Sequence, residues 1–515
     1  MITFNRKTID AAIRGGAAQS AGRWAASFAV GVAALTMAGC VNYAGIKSDK
    51  EIQPPSKYET ASSLPNEGGQ WPALDWANQL GDAQLPKLID EALHGNPTID
   101  EARARIEKAT SYVGSAKSAL YPDVNGSYSW SRNRYSANGL VPPPYGGTWQ
   151  SENTLLVSAS WDLDLWGKNR ERLRQAVSQE KVAEAEAEEV RITLAASVAS
   201  TYNHLALLYA LRDVEVREVT NREDIGRITD GRVVAGLDTN VEKQTVYGET
   251  ATSRSSVSDL DGQITAVRYQ LGALLGEGPD RGLKIANPSF GGNAAVALPD
   301  NLPADLLSRR PDIVAAYWQV DAAMHDVKEA KAEFYPDVNL SLSAGLDAFG
   351  WGRFLTASSR QFQASPAIHL PIFDAGALRS QLKERYADFD YDVANYNKTL
   401  IDALSDVATQ VSDIRATDRQ LVDAQQAFDA QTKAYQLAVV RYKAGLNQQL
   451  QVLNADDNRL AAEKAVINLQ MERRNKQIGL IKALGGGFDA TQAGLASTTD
   501  TPIPTPTPTN VNTAN

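Results

Sequence analysis

Few residues in this chain have the type and spacing that chemistry needs. There is a single cysteine, Cys40, so neither a disulfide framework nor a thiolate zinc cluster is available. The four histidines (His94, His204, His325 and His369) are scattered, and no two stand four residues apart as helix-borne metal ligands do. No nucleophile elbow, phosphate-cradling loop or metal-binding signature occurs. The reading is therefore no enzyme, no cofactor and no metal. A formal net charge of −10 offers no basic field to nucleic acid. What remains is one thiol, and its surroundings decide its use.

Cys40 closes an N-terminal pattern. Arg6, Lys7, Arg14 and Arg23 form a basic lead, and residues 24–37 form an apolar stretch too short to span a bilayer but suited to a signal peptide. The stretch ends in Leu35-Thr36-Met37-Ala38-Gly39-Cys40, which resembles a bacterial lipobox. Residues 1–39 then read as a lipoprotein signal peptide and Cys40 as the lipid attachment site, a fatty-acylated (palmitate-type) mature N-terminus. A plain signal peptide with an incidental cysteine is the alternative. Residues 40–70, with Pro54-Pro55, read as a lipid-anchored tether. Beyond the signal no apolar run approaches about 18 residues, so any crossing of a membrane must use strands.

The elements are written twice. Tyr121-Pro122-Asp123-Val124-Asn125 recurs as Tyr335-Pro336-Asp337-Val338-Asn339, and Arg232-x-x-Ala235-Gly236-Leu237 recurs as Arg441-x-x-Ala444-Gly445-Leu446. Matches that hold both order and spacing imply two internal structural repeats. We place them at 71–278 and 279–487. Each opens with a helix, Ile99 to Leu120 and Ile313 to Phe334, that must stop at Tyr-Pro because proline removes a donor and bars its predecessor from the α region.

A β-hairpin follows in each repeat, 123–166 and 337–373. Val124, Tyr128 and Trp130 alternate with Asn125, Ser127 and Ser129; Val338, Leu340 and Leu342 alternate with Asn339, Ser341 and Ser343. Such two-residue alternation marks barrel strands, apolar toward lipid and polar toward the lumen, or else a soluble sheet with one wet face. Then come long stretches without proline, from Gly147 to Gly278 and from Ile372 to Thr501. Lys168 to Asp230 alone would run about 95 Å as one helix, so these are coiled-coil hairpins with tips near 232–240 and 441–449. Residues 488–515, ending in Thr/Pro repeats, read as a disordered tail.

Geometry ties these parts together. Four strands cannot close a barrel, since the smallest outer-membrane barrels need about eight, and an open sheet edge cannot face lipid. Strands must be pooled between chains. Three chains give twelve strands and a barrel roughly 24 Å across, too wide for side chains to fill.

Trp71, the stretch Leu85 to Ala104 with Asn96-Pro97, and Leu302-Pro303-x-x-Leu306-Leu307-x-Arg309-Arg310-Pro311-Asp312-Ile313 resemble the TolC family of outer-membrane efflux proteins, in its OprM- and NodT-like lipoprotein branch. The resemblance covers about residues 40 to 490. It implies an α+β membrane protein: a homotrimer whose twelve-stranded transmembrane β-barrel, four strands per chain, continues into a long α-helical coiled-coil barrel in the periplasm. It also implies partners, namely a periplasmic adaptor (membrane fusion protein), an inner-membrane transporter of the resistance-nodulation-division type, and outer-membrane lipid. The function implied is the exit duct of a tripartite efflux system. A type I protein-secretion duct and a structural coiled-coil lipoprotein are the alternatives.

The resemblance also assigns roles. Arg232, Gly236 and Leu237, with Arg441, Gly445 and Leu446, match the tips offered to the adaptor. Glu242 and Tyr442 match an acid and a tyrosine that bond to each other in the periplasmic gate. Gln451 and Asn454 stand where close relatives carry a carboxylate ring, and Asn447 stands in place of a basic residue. Three neutral amides make no strong cation-selective field, and Asp456 and Asp457, a turn further on, are the expected partial substitutes.

If Cys40 is acylated, intact mass of the membrane-extracted protein carries the acyl mass, and Cys40→Ser loses it. A wild-type N-terminus without lipid contradicts the assignment.

Overall fold

The computed structural model describes residues 42–290 and 297–496. The signal peptide assigned to 1–39, the acylation site Cys40 and the Thr/Pro repeats of 497–515 lie outside the described residues.

Two helices, α1 (Leu85–Gly95) and α2 (Pro97–Ser118), lead into strands β1 (Asp123–Arg134) and β2 (Trp149–Asp162). The long helix α3 (Lys168–Val234) and its return α4 (Asn240–Leu274) follow, then a short α5 (Pro279–Leu283). The second half repeats the order: α6 (Leu302–Arg309), α7 (Pro311–Ala332), β3 (Asp337–Phe349), β4 (Arg360–His369), α8 (Ala377–Lys443) and α9 (Gln449–Ala483). Both long helices have 67 residues and both returns have 35.

Helices α2 and α7 start two residues earlier than expected because Pro97 and Pro311 occupy the first turn, where a missing N–H costs nothing. Asn96 caps α2, its side chain accepting from the Thr98 amide at 2.9 Å. The long helices begin alike: Asp164 accepts from the amides of Asn169 and Arg170, and Asp374 from those of Gly376 and Leu378. Each carboxylate satisfies donors that a helix start leaves open. At about 1.5 Å per residue α3 and α8 are each about 100 Å long.

The four strands form one antiparallel sheet in the order β1-β2-β3-β4. β2 and β3 join the two halves, with Leu155 opposite Leu346 and Ala159 opposite Leu342. Gly345 permits that pairing, since a Cβ there would lie 1.9 Å from the Leu155 carbonyl oxygen. Among the described residues β1 and β4 each pair on one side only. The apolar face is bare in the single chain: Val124, Trp130, Val157 and Ile368 are exposed, and Phe362 is 77 % exposed. No described helix is long and apolar enough to cross a membrane.

The core runs along the helices in two main bodies. Leu85, Leu88, Val198, Tyr202, Leu205 and Leu271 pack α1 against α3 and α4. Val320, Val327, Leu382, Phe389, Val393 and Leu400 pack α7 against α8. The two first helices fare differently. α7 lies between α3 and α8 and buries residues all round, whereas α2 packs chiefly on α3 and buries only Ile99, Ala102 and Ala116.

Residues after Asn42 lie along α8 rather than hanging loose. The Gln53 amide donates to Asn397 Oδ1 at 2.8 Å, Asn397 Nδ2 donates to the Glu51 carbonyl at 3.1 Å, and the Tyr43 ring meets Phe334 edge-on. At the other end the expectation of disorder from residue 488 is corrected. Phe488, Ala490 and Leu495 are buried against Val182, Ala185, Ile192, Val314 and Ala315. Trp318 Nε1 donates to the Leu495 carbonyl at 2.8 Å and the Ala490 amide to the Ser308 carbonyl at 2.9 Å. Two apolar anchors seven residues apart suffice to hold a short segment that composition alone reads as part of the tail.

Phe488→Ala is expected to cost about 3 kcal/mol, as large-to-small changes in a packed core do, and to lower the melting temperature of the detergent-purified protein. Thr491→Ala, at an exposed position of the same segment, leaves it within about 0.5 kcal/mol of wild type.

Candidate functional site at the helix tips

The two long hairpins turn by the same device. Ala235 caps the end of α3, with Gly236 after it at φ +72°, and Ala444 caps the end of α8, with Gly445 also at φ +72°. The Leu237 amide reaches back to the Arg232 carbonyl and the Leu446 amide to the Arg441 carbonyl, both at 2.9 Å. Each tip is thus a Schellman closure whose left-handed position favours glycine. The leucine after it is exposed in both, and Val234, Val241, Val440 and Leu450 extend the apolar surface.

The two tips are tied together by Tyr442, which is 1 % exposed. Its hydroxyl donates to Asp238 Oδ2 at 2.7 Å and lies 3.1 Å from Thr229 Oγ1. Arg232 clamps the same carboxylate, with Nε 2.7 Å from Oδ2 and Nη2 3.0 Å from Oδ1. Its guanidinium also lies 4.5 Å from the Tyr442 ring centroid and donates to the Tyr442 carbonyl at 3.2 Å. Gln449 Nε2 completes the cluster on Thr229 Oγ1 at 2.7 Å. The Arg232 pair holds the Asp238 carboxyl below the usual carboxylate range, while burial and the Asp238 carboxylate push the Tyr442 phenol up.

This changes three assignments. Tyr442 bonds Asp238, not Glu242. Glu242 instead caps α4: it accepts from the Thr239 amide at 2.8 Å and from the Thr239 hydroxyl, while Thr239 Oγ1 accepts from the Val241 amide at 3.1 Å. Those bonds hold the Glu242 carboxyl below its ordinary range. Arg232, read as an adaptor contact, turns its side chain inward onto Tyr442 and Asp238, whereas Arg441 is exposed along with Gly236, Leu237, Gly445 and Leu446. Asp456 does not substitute for an acidic ring, because it is fully buried and bonded to Arg459. Asp457 is more open but ion-paired with Arg222 at 2.6 Å.

Gln451 and Asn454 are exposed and lie three residues apart on α9, so they share one face. Asp238, Thr229 and Gln449 were missed from sequence. A signal was present: Asp238 follows Gly236-Leu237 where the second tip has Asn447, so one tip alone carries an acid within reach of its own arginine.

Comparison with known proteins places this architecture. The family described as "Outer membrane efflux protein" matches residues 88–277 and 302–486. The multidrug resistance outer membrane protein MdtP of Shigella flexneri is 30 % identical over 446 residues, covering 85 % of this chain and 91 % of that one. The fusaric acid resistance protein FusA of Burkholderia cepacia is 32 % identical over 363 residues, covering 69 % and 68 %. Among solved structures, the outer membrane protein VceC of Vibrio cholerae shares 33 % identity with a TM-score of 0.76, over 81 % of this chain and all of that one (100 %). The exposed apolar sheet, the paired long hairpins and these matches agree, and the chain belongs to the outer membrane efflux protein family, the TolC-type channels, as a transport protein rather than an enzyme.

Proposed function

We propose that three copies of this chain close a twelve-stranded barrel in the outer membrane and continue as a helical tunnel into the periplasm. The duct is the passive exit of a tripartite efflux pump. One observation carries the reading: a single chain presents a four-stranded sheet with two open edges and a bare apolar face. In lipid those backbone groups have no partner except another copy. The strands have 10 to 14 residues, enough to cross a bilayer at a tilt. The one-sided packing of α2, against the two-sided packing of α7, supports the same conclusion, because a neighbouring chain would supply the missing flank.

The two repeats give the tunnel its quasi-regular wall. Cys40, lying just before the segment that runs along α8, anchors the chain to the inner leaflet of the outer membrane. The exposed Leu237, Leu446, Val234 and Val241 offer an apolar rim to a periplasmic adaptor, and an inner-membrane transporter of the resistance-nodulation-division type supplies the energy. The names of MdtP and FusA, multidrug and fusaric acid resistance, favour small organic compounds as cargo. In this reading the Tyr442–Asp238–Arg232 cluster holds the periplasmic end shut, and Gln451 and Asn454 line its mouth.

Two measurements follow. Cross-linking and native mass of the detergent-solubilised protein should give three chains; a stable folded monomer contradicts the pooled barrel. Tyr442→Phe and Asp238→Asn should each raise single-channel conductance and antibiotic entry, since a charge-assisted bond is worth about 1.5–3 kcal/mol, or about tenfold or more in the closed-to-open ratio per copy. Glu242→Gln should leave both unchanged, because glutamine also serves in a capping box. Equal effects of Glu242→Gln and Tyr442→Phe would return the latch to Glu242.

A further inference from the structure

Above the tips, the seam between the first hairpin (α3, α4) and the second (α8, α9) holds a buried cluster of charge. Glu218 on α3 and Asp456 on α9 are both 0 % exposed, and Arg222 is 4 % exposed. One nitrogen of Arg459, Nη2, donates to both carboxylates, 3.0 Å from Glu218 Oε2 and 2.8 Å from Asp456 Oδ1. Arg459 Nε also meets Asp456 Oδ1 at 3.0 Å, and Nη1 is taken by Glu463 at 3.1 Å. Arg222 Nε donates to Glu218 Oε1 at 2.6 Å, while its remaining nitrogens serve Asp457 at 2.6 Å and Glu249. Every nitrogen of these two arginines is thus committed, yet Asp456 Oδ2 is buried with no donor. A buried carboxylate oxygen without a donor is costly, and the group beside it is a second carboxylate.

We propose that Glu218 and Asp456 share one proton while the seam is closed, and that its release loosens the two hairpins from each other. The inference rests on the duct reading, in which parting of the hairpins opens the periplasmic end. The charges around the pair favour a proton. Facing it are Glu215, Arg217 and Arg222 from α3, with Asp224 at the margin; Glu249 from α4; the Tyr435 ring of α8, 5.1 Å from the Arg459 guanidinium; and Asp457, Arg459, Glu463 and Lys464 from α9. Glu463 is also paired with Arg217, and Glu215 with Lys464. Carboxylates outnumber the cations, so two adjacent buried anions are not both balanced. A proton on one carboxyl supplies the missing donor and removes the repulsion.

Burial and the neighbouring Asp456 push the Glu218 carboxyl up to about 7, against the pull of Arg222. When the hairpins part and water enters, the carboxyl returns toward its ordinary value of about 4.3. The closed seam therefore binds the proton more tightly than the parted one. Between those two values each unit of falling pH favours closure by up to about tenfold per site. Above about 7 both states have lost the proton, the dependence levels off, and the seam is at its weakest.

The test uses the full-length protein, by infrared titration in detergent and by conductance in planar bilayers from pH 5 to 8. Wild type should show a protonated-carboxyl band that disappears near pH 7, and an open fraction that rises up to about tenfold per unit to pH 7 and then flattens. Glu218→Gln keeps the side chain neutral and supplies a donor, so it should lack the band and keep the low conductance at every pH. Asp456→Asn, a second variant should the first not fold, should do the same. Absence of the band in wild type, or a variant whose conductance follows the wild-type curve, overturns the proposal. A titrating band without channel activity in any protein overturns the duct reading and the link to it, and leaves only the shared proton.

Discussion

Backbone hydrogen bonding in hydrocarbon is the constraint on which the rest depends. Each peptide group in β1 to β4 needs a partner, and water cannot supply one within a bilayer. The chain satisfies the inner strands itself, through the β2–β3 pairing that joins its halves, and leaves the outer edges of β1 and β4 to be satisfied elsewhere. A closed barrel of pooled strands is the arrangement that leaves no edge. In the proposed duct the shared strands place the helices that continue from them in a ring as well, which would cover the flank that α2 leaves bare and α7 does not.

The helical part solves a different problem. In the proposed duct, a wall that parts at one end is not sealed by apolar packing alone, because parting would expose that surface to water. The seam between the hairpins is correspondingly polar. Asn203 donates to the Met471 carbonyl at 2.8 Å, Arg217 and Lys464 cross it to Glu463 and Glu215, and the charge cluster of Glu218 and Asp456 lies nearer the tips, where Tyr442 closes the series. Polar links of this kind can be exchanged for water at modest net cost, since each contributes about 0.5–3 kcal/mol, the upper half of that range for bonds to charged groups. Ile225, Val246, Val452 and Leu453 form a small apolar patch around Tyr442 that keeps its bonds dry.

The two tips use equivalent residues differently. Arg232 and Arg441 occupy equivalent positions in the two halves, yet the first is folded into the clamp on Asp238 and the second faces outward. The difference comes from one residue after each turn, since Asp238 offers a carboxylate where Asn447 does not. The leucines that follow the two glycines stay exposed in both, so the apolar rim is common to the tips while the clamp belongs to one interface.

Sequence alone determined what is local. Proline at Pro122 and Pro336 placed the ends of α2 and α7, glycine at Gly236 and Gly445 placed the turns, and two-residue alternation and the proline-free stretches separated strand from helix. These signals act within a few residues, so they can be read without knowing what packs where. The internal matches between the halves carried the element order as well. Only the tertiary structure decided which side chains meet. Glu242 and Asp238 are both acids near the first tip, and spacing does not say that Thr239 draws one into a helix cap while Arg232 steers the other onto Tyr442. Asp456 and Asp457 are neighbours in sequence, but successive helical positions lie about 100° apart, so one is sealed against Glu218 and Arg459 and the other reaches Arg222 from a more open position. Phe488 and Leu495 likewise reveal their role only once α3 and α7 present a groove between Val182 and Val314, because burial is a property of the surface a residue meets and not of the residue itself.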